Sequence, residues 1–150
     1  MIIREANNQD IHQLRSMEQG VIDYERPLNS SLTLKDTQYY DLPAMIADAS
    51  THLVVVEDHG KLIGTGYAQI HASREYFVHE RHAYIGFMYV SPDHRGKGIA
   101  QKILNVLLEW SESQGVSDFY LDVYEQNASA VKSYQKAGFL PNLLQMKLSR

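Results

Sequence analysis

Arg95-Gly96-Lys97-Gly98 sets two fixed cations and two glycines at the mouth of an apolar helical pattern that runs from Gly98 to Ser113. A helix N-terminus offers unpaired N–H groups and the positive end of the helix dipole, so it is a natural seat for a phosphate. Gly96 and Gly98 carry no Cβ, which lets an anion approach the main chain and makes unusual φ values inexpensive. Arg95 and Lys97 add fixed positive charge, and a guanidinium can pair with two phosphate oxygens at once. The chemistry implied is capture of a small polyanion. Two common phosphate loops fit poorly. A Walker A loop requires G-x-x-x-x-G-K-[ST], whereas Lys97 is followed by Gly98. A dinucleotide fingerprint begun at Gly96 meets Gln101 at its last small position, although Asp118 stands at a suitable distance downstream. Ser91-Pro92-Asp93-His94 also separates the loop from the preceding strand, where a Rossmann turn begins at once.

The elements that must hold this loop follow from hydrophobic periodicity. A short strand, Ile2 to Ala6, leads to a helix with Asp10 as N-cap, Ile11, Leu14, Met17 and Val21 on one stripe, and a break at Asn29-Ser30-Ser31. A second helical region covers Leu34 to Ala49, interrupted near Pro43. His52 to Glu57 is a β-branched run, His59-Gly60 a turn, and Leu62 to Ile70 alternates as a strand. Ala83 to Val90 is a third strand, stopped by Pro92, and Gly86 inside it marks a bulge or a close approach by ligand. Ile99, Ile103, Leu107 and Trp110 stack along the next helix, which Gly115 closes. Phe119 to Val123 reads as a strand, Ala128 to Ala137 as a helix with Asn127 as N-cap and Gly138 at its end, and Leu143 to Leu148 as a last strand. The order β-α-α-β-β-β-α-β-α-β predicts an α/β (α+β) fold: a mixed, mostly antiparallel sheet flanked by helices.

Bulk properties bound the function. The 150 residues are expected to form one domain, 1–150, of ordinary globular composition, 44% hydrophobic and 21% charged. No stretch reaches the roughly 18 apolar residues of a membrane span, and Met1-Ile2-Ile3-Arg4-Glu5 does not resemble a signal peptide. A cytoplasmic address is the expectation. The chain has no cysteine, which removes disulfides, thiolate metal ligands and a covalent cysteine intermediate. A net charge of −4 argues against a nucleic-acid binder. His79-Glu80-Arg81-His82 is not H-E-x-x-H and lies in a polar stretch, so it reads as a solvated loop or a substrate-side lip, and no metal is expected.

Arg95-Gly96-Lys97-Gly98-Ile99-Ala100 matches [QR]-x-x-G-x-[GA], the acyl-CoA signature of the GCN5-related N-acetyltransferase (GNAT) superfamily. Asn127-Ala128-Ser129-Ala130-Val131-Lys132-Ser133-Tyr134-Gln135-Lys136-Ala137-Gly138-Phe139 resembles its second signature, N-x-x-A-x-x-x-Y-x-x-x-G-F. The similarity covers His52 to Phe139, and the residues before it by topology only. It implies direct transfer of the acetyl group of acetyl-CoA to a primary amine, with no covalent enzyme intermediate. It further implies that the backbone of Met88, Tyr89 and Val90 holds the pantetheine arm as an added strand would, where neighbouring strands splay. One N–H of that segment would also polarise the thioester carbonyl. By the same resemblance the amides of Arg95, Gly96, Lys97, Gly98, Ile99, Ala100 and Gln101 hold the pyrophosphate, and Asn127 touches the arm besides capping its helix. Tyr134 protonates the departing thiolate, and Lys132 and Lys136 reach for the 3′-phosphate.

Many relatives carry a glutamate on the strand before the CoA loop, but Tyr84-Ile85-Gly86-Phe87-Met88-Tyr89 has no carboxylate. Glu80, His82, Tyr84 or a water remain alternatives as general base. The family's acceptor site corresponds here to Ile11–Ala49 and Ala72–Arg81. These segments carry Asp23, Glu25, Asp36, Asp41, Asp48, Glu75 and Glu80 beside Tyr24, Tyr39, Tyr40, Tyr76 and Phe77. Such a cleft suits a cationic small-molecule or peptide amine. Two rival readings stand: a non-catalytic acyl-CoA-binding regulatory module, favoured by the missing strand carboxylate, and a nucleotide-binding module. No nucleic-acid or membrane partner is expected, and the apolar edge Leu143–Leu148 suggests a homodimer.

Overall fold

A computed structural model describes all 150 residues. Leu53-Val54-Val55-Val56 shows no polar alternation because both faces of its strand are covered. Leu53 and Val55 join one apolar cluster, while Val54 and Val56 join another on the opposite side. The sheet between these clusters runs β1 (Ile2–Glu5), β2 (Thr51–Asp58), β3 (Lys61–Ala72), β4 (Arg81–Val90), β5 (Phe119–Tyr120). Its first four strands are antiparallel neighbours and β5 is parallel to β4. Helices α1 (Ile11–Glu25) and α2 (Leu42–Ala47) cover the first face; α3 (Ile99–Ser113) and α4 (Ala128–Lys136) cover the second. No helix is long and apolar enough to cross a membrane.

Chain entry into α1 is held by a carboxylate. Asp10 is buried, accepts from Arg4 at 2.8 and 2.9 Å and from the Asn7 N–H at 2.8 Å, and so closes a capping box. The bond from Arg4, more than any other influence, holds the Asp10 carboxyl below the usual carboxylate range.

β4 departs from regular pairing at its centre. Thr65 stands opposite Tyr89 and Tyr67 opposite Gly86, so Phe87 and Met88 together face Gly66. The extra residue makes a β-bulge, and Phe87 takes the left-handed φ of 51° that accommodates it. Ile85 and Met88 pack on the α3 side while Phe87 packs on the α1 side, which turns Gly86 and Phe87 to the same face. Two adjacent side chains cannot share that spot: a Cβ on Gly86 would lie 2.5 Å from the Tyr67 hydroxyl. The expected bulge at Gly86 is present, and the close approach there is made by Tyr67.

Three expectations are corrected. The second helix is confined to Leu42–Ala47, with Pro43 in its first turn, because proline cannot sit in a helix interior and the Tyr39 and Tyr40 amides bond to a side chain instead. β5 ends at Tyr120, short of Val123. The last strand, Leu143–Leu148, does not form: Leu143, Leu144, Met146 and Leu148 are 69–90% exposed, and Lys147 reaches Ser31 at 2.6 Å. A strand needs a neighbouring ladder, and β5 pairs over only two residues. The apolar edge expected to pair two copies is therefore missing.

Gly86→Ala is expected to cost about 1–3 kcal/mol in urea unfolding through overpacking, with Tyr67→Leu in the double variant recovering part of it. Asp10 has a folded pKa below its unfolded value, so its stabilisation is complete above the unfolded pKa and lost as pH falls through the folded one. Asp10→Asn should therefore flatten the acid limb of a stability–pH curve.

Candidate functional site

β4 hands the chain to a 3₁₀ turn, Pro92–His94, pinned from several sides. The Ser91 N–H donates to the Ile63 carbonyl at 2.8 Å, and the Ser91 hydroxyl and His94 Nδ1 share a hydrogen bond at 2.8 Å. Arg95 Nε donates to the Val90 carbonyl at 2.9 Å, with the guanidinium carbon 5.9 Å from the Tyr89 ring centroid. Beyond this anchor, Gly96 and Gly98 both adopt φ of +77°, a conformation other residues strain to reach. No atom would lie within 4 Å of a Cβ at either position, so their glycines serve backbone shape and leave open space outside it. The N–H groups of Gly96, Lys97, Gly98, Ile99, Ala100 and Gln101 donate to no acceptor in the chain; the first amide to rejoin the ladder is Lys102, to the Gly98 carbonyl. Six consecutive donors at a helix start, flanked by Arg95 and Lys97, form an anion cradle.

A strand edge lies beside the cradle. β4 and β5 pair only at Ala83–Phe119 and Tyr84–Tyr120, after which the two strands part. Since Ser91 bonds back to β3, alternation turns Val90 and Met88 toward the open edge. Across the gap, Asn127 caps α4 by accepting from the Ala130 N–H at 3.3 Å and also accepts from the Tyr24 hydroxyl at 3.3 Å. Gln101 ties α3 to α4 through the Ser133 carbonyl at 2.8 Å. Tyr134 packs into the α3-side cluster with its ring 6.1 Å from Phe139. Burial, and secondarily the charge of Glu25, push its phenol up to about 12. Met88, Val90, Ile99 and Tyr134 share the α3-side cluster, Gln101 and Asn127 tie into α4 beside it, and the opening between β4 and β5 is the candidate groove. Lys132 and Lys136 make no ion pair on α4.

The α1 side of the groove depends on a residue that motif reading missed. Glu18 is fully buried; Arg15 donates to one of its oxygens, and the Tyr39 and Tyr40 N–H groups donate to the other, all at 2.9 Å. This fixes Tyr40, whose ring stacks on Phe87 of the bulge at 4.6 Å. The only signal in the sequence was an acidic residue adjoining the apolar stripe of α1. Glu25, the last residue of α1, is partly buried, and burial pushes its carboxyl above the usual range.

The three residues considered as general base are placed differently. Glu80 is exposed. His82 shares a hydrogen bond at 2.8 Å with Ser73, which also meets His79 at 2.7 Å, and His79 in turn meets Tyr120 at 2.9 Å. The stretch expected to be a solvated loop or a substrate-side lip exposes Glu80 and Arg81 while His79 and His82 join this network, and burial lowers the His82 pKa. Tyr84 donates to Asp122 at 3.0 Å, and burial raises its phenol, which keeps the proton on it. The carboxylate whose charge reaches Tyr134 is Glu25. Two surface hollows flank this region: one of about 490 Å³ beside Arg15, Tyr39 and Tyr40, and one of about 430 Å³ lined by Met17, Tyr89, Ser91 and His94.

A profile of the acetyltransferase (GNAT) family matches residues 11–139. The uncharacterized N-acetyltransferase YobR of Bacillus subtilis (strain 168) is 40% identical over 52 residues, which are 35% of this chain and 21% of that protein. The chain thus spans about a fifth of that curated relative's length. Among solved structures, a tetramutant of the BH1408 protein from Bacillus halodurans superposes with a TM-score of 0.88 at 20% identity, covering 100% of both chains. A predicted acetyltransferase from Clostridium acetobutylicum, solved with acetyl-CoA, gives a TM-score of 0.76 at 20% identity over 99% of this chain and 95% of that one. At such identity these structures establish a common fold.

Gly98→Ala should lower stability by about 1–2 kcal/mol, since its φ alone is unfavourable and nothing crowds the new methyl group. A urea-unfolding midpoint equal to the parent's would show that the loop relaxes freely.

Proposed function

The chain belongs to the acetyltransferase (GNAT) family, and from that premise we propose that it moves the acetyl group of acetyl-CoA directly to a primary amine. The observation carrying this reading is the run of unbonded main-chain donors from Gly96 to Gln101, opening onto space at both glycines. That cradle fits a diphosphate, and Arg95 and Lys97 would balance its charge. Met88, Tyr89 and Val90, on the edge that β5 abandons, would align the pantetheine arm by main-chain hydrogen bonds, with Asn127 facing them. Acetyl-CoA, when bound, supplies an acetyl group activated as a thioester.

The chain's own groups then have separable tasks. An N–H of Met88 or Val90 donates to the carbonyl oxygen as negative charge builds there; one such donor typically contributes about 10²–10³ in rate. Tyr134, with its pKa near 12, stays protonated at neutral pH and has a proton ready for the departing sulfur. No cysteine is present to form an acyl-enzyme, in keeping with direct transfer.

Calorimetry and thiol release test the proposal together. The protein should bind acetyl-CoA and not NAD or ATP. Arg95→Ala should weaken that binding by about tenfold, with a shallower salt dependence. Tyr134→Phe should reduce kcat about 100-fold and leave the acetyl-CoA Kd within twofold. Unchanged turnover in Tyr134→Phe refutes the acid role. Tight acetyl-CoA binding with no thiol release across a broad amine panel would identify a non-catalytic acyl-CoA-binding module.

A further inference from the structure

Among the acidic residues of the acceptor side, one partly buried carboxylate has no cationic partner. Asp23 pairs with Arg26 at 3.8 Å, and Asp41 caps α2 through the Ala44 N–H at 3.2 Å. Asp48 accepts from the Ser50 N–H at 3.0 Å and the Thr51 hydroxyl at 2.7 Å. Asp36, Glu75 and Glu80 are exposed to water. Glu25 alone is partly buried with no ion pair, and its side-chain neighbour is the Tyr39 phenol. A desolvated carboxylate without a counterpart is costly, which marks a place where a cation is meant to arrive.

The Tyr39 hydroxyl is buried beside it, with no other group of the chain in hydrogen-bond reach. An alkylammonium carries three N–H donors and could satisfy both groups at once. The bond from Tyr24 to Asn127 brings the last turn of α1 against the start of α4, and the Glu25 charge is felt at the Tyr134 phenol. We propose that Glu25, with Tyr39, receives the ammonium group of the acceptor and takes its proton as the nitrogen attacks. This rests on the acetyltransferase function proposed above and names the base and the substrate class, a cationic primary alkylamine.

The step balances. One N–H proton passes to the Glu25 carboxylate, and the freed nitrogen pair forms the bond to the acetyl carbon. The carbon–sulfur bond breaks, sulfur keeps its electron pair, and that pair takes the Tyr134 proton. The nitrogen, which still carries one proton too many after attack, gives it to the Tyr134 phenolate, and Glu25 loses its own proton to solvent, so one proton is released in all. The groups facing Glu25 are Tyr39 and Tyr40 from the α1–α2 connection and Tyr134 from α4, with Arg26 following in the chain. All three phenols are raised above their usual range, so Glu25 is the member that titrates as pH falls. Its upward shift moves the loss of activity to a higher pH than an exposed glutamate would show.

The test compares the protein with Glu25→Gln, Glu25→Asp and Tyr39→Phe, with Glu109→Gln, exposed on α3, as control. Acetyl-CoA binding is read by calorimetry, and thiol release with 1,4-diaminobutane, lysine and glycinamide is followed against pH. The inference expects Glu25→Gln to bind acetyl-CoA within twofold of the parent but to lose at least about 100-fold in kcat/KM for amine. The acid limb of its profile should vanish, with Glu25→Asp restoring part of the rate. Tyr39→Phe should raise the amine KM, and Glu109→Gln should change nothing beyond twofold. Retained rate or an unchanged acid limb in Glu25→Gln overturns the inference, as does a loss confined to the acetyl-CoA KM. A parent protein that binds acetyl-CoA but acetylates none of these amines also overturns it while sparing the donor site. A parent that fails to bind acetyl-CoA removes the function itself.

Discussion

Phe87 and Met88 both stand opposite Gly66 because β4 carries one residue more than β3 over this stretch. A strand with a bulge bends and twists more sharply than its neighbours, and β5 keeps company with β4 only as far as Tyr84. The edge left over has main-chain groups that no other strand takes up. The same bulge reverses the side-chain parity of β4, so Phe87 meets Tyr40 on one face while Met88 and Val90 lie on the α3 side. Gly86, Tyr67, Tyr40 and the open edge therefore form a single packing solution, and altering any of them disturbs both sides of the groove.

Charge is divided across that groove in a way the net value of −4 conceals. The side formed by α3 is positive through unbonded amides at a helix start and the cations Arg95 and Lys97. The side formed by α1 and the segment after it is negative, with Glu18 and Glu25 below the surface. These two carboxylates have opposite circumstances. Glu18 is answered on both oxygens, and a buried charge satisfied in this way organises the backbone around it. Glu25 has the Tyr39 phenol beside it and no cation, so its charge is left without a counterion.

Side-chain hydrogen bonds tie α4 to its neighbours on both faces. Gln101 links the start of α3 to Ser133 of α4, and Tyr24 links the end of α1 to Asn127. Tyr134 lies between these ties, so its environment is set by three elements far apart in the chain. Its raised pKa follows from that enclosure, since burial is the larger cause and the nearby negative charge the smaller.

The elements with strong periodicity were legible from the residues. The stripe from Ile99 to Trp110 and the β-branched run at His52–Glu57 announced a helix and a strand, and the paired glycines announced the irregular loop that opens that helix. The family followed from the order of two signatures. The bulge was half legible, because Gly86 announced an irregularity without saying that Tyr67 fills it. The length of α2, the early end of β5 and the absence of a strand at Leu143–Leu148 were not legible, since each depends on whether a distant partner supplies hydrogen bonds. The partnering of carboxylates was beyond local reading as well. Glu18, Asp23 and Glu25 lie within one helix and look alike in the sequence; only the packed chain makes one a buried scaffold, one a solvated surface charge and one a partly buried group without a counterion. Local pattern determines which residues prefer a helix or a strand, but desolvation and charge pairing are properties of the space between elements, and that space exists only after the chain has folded.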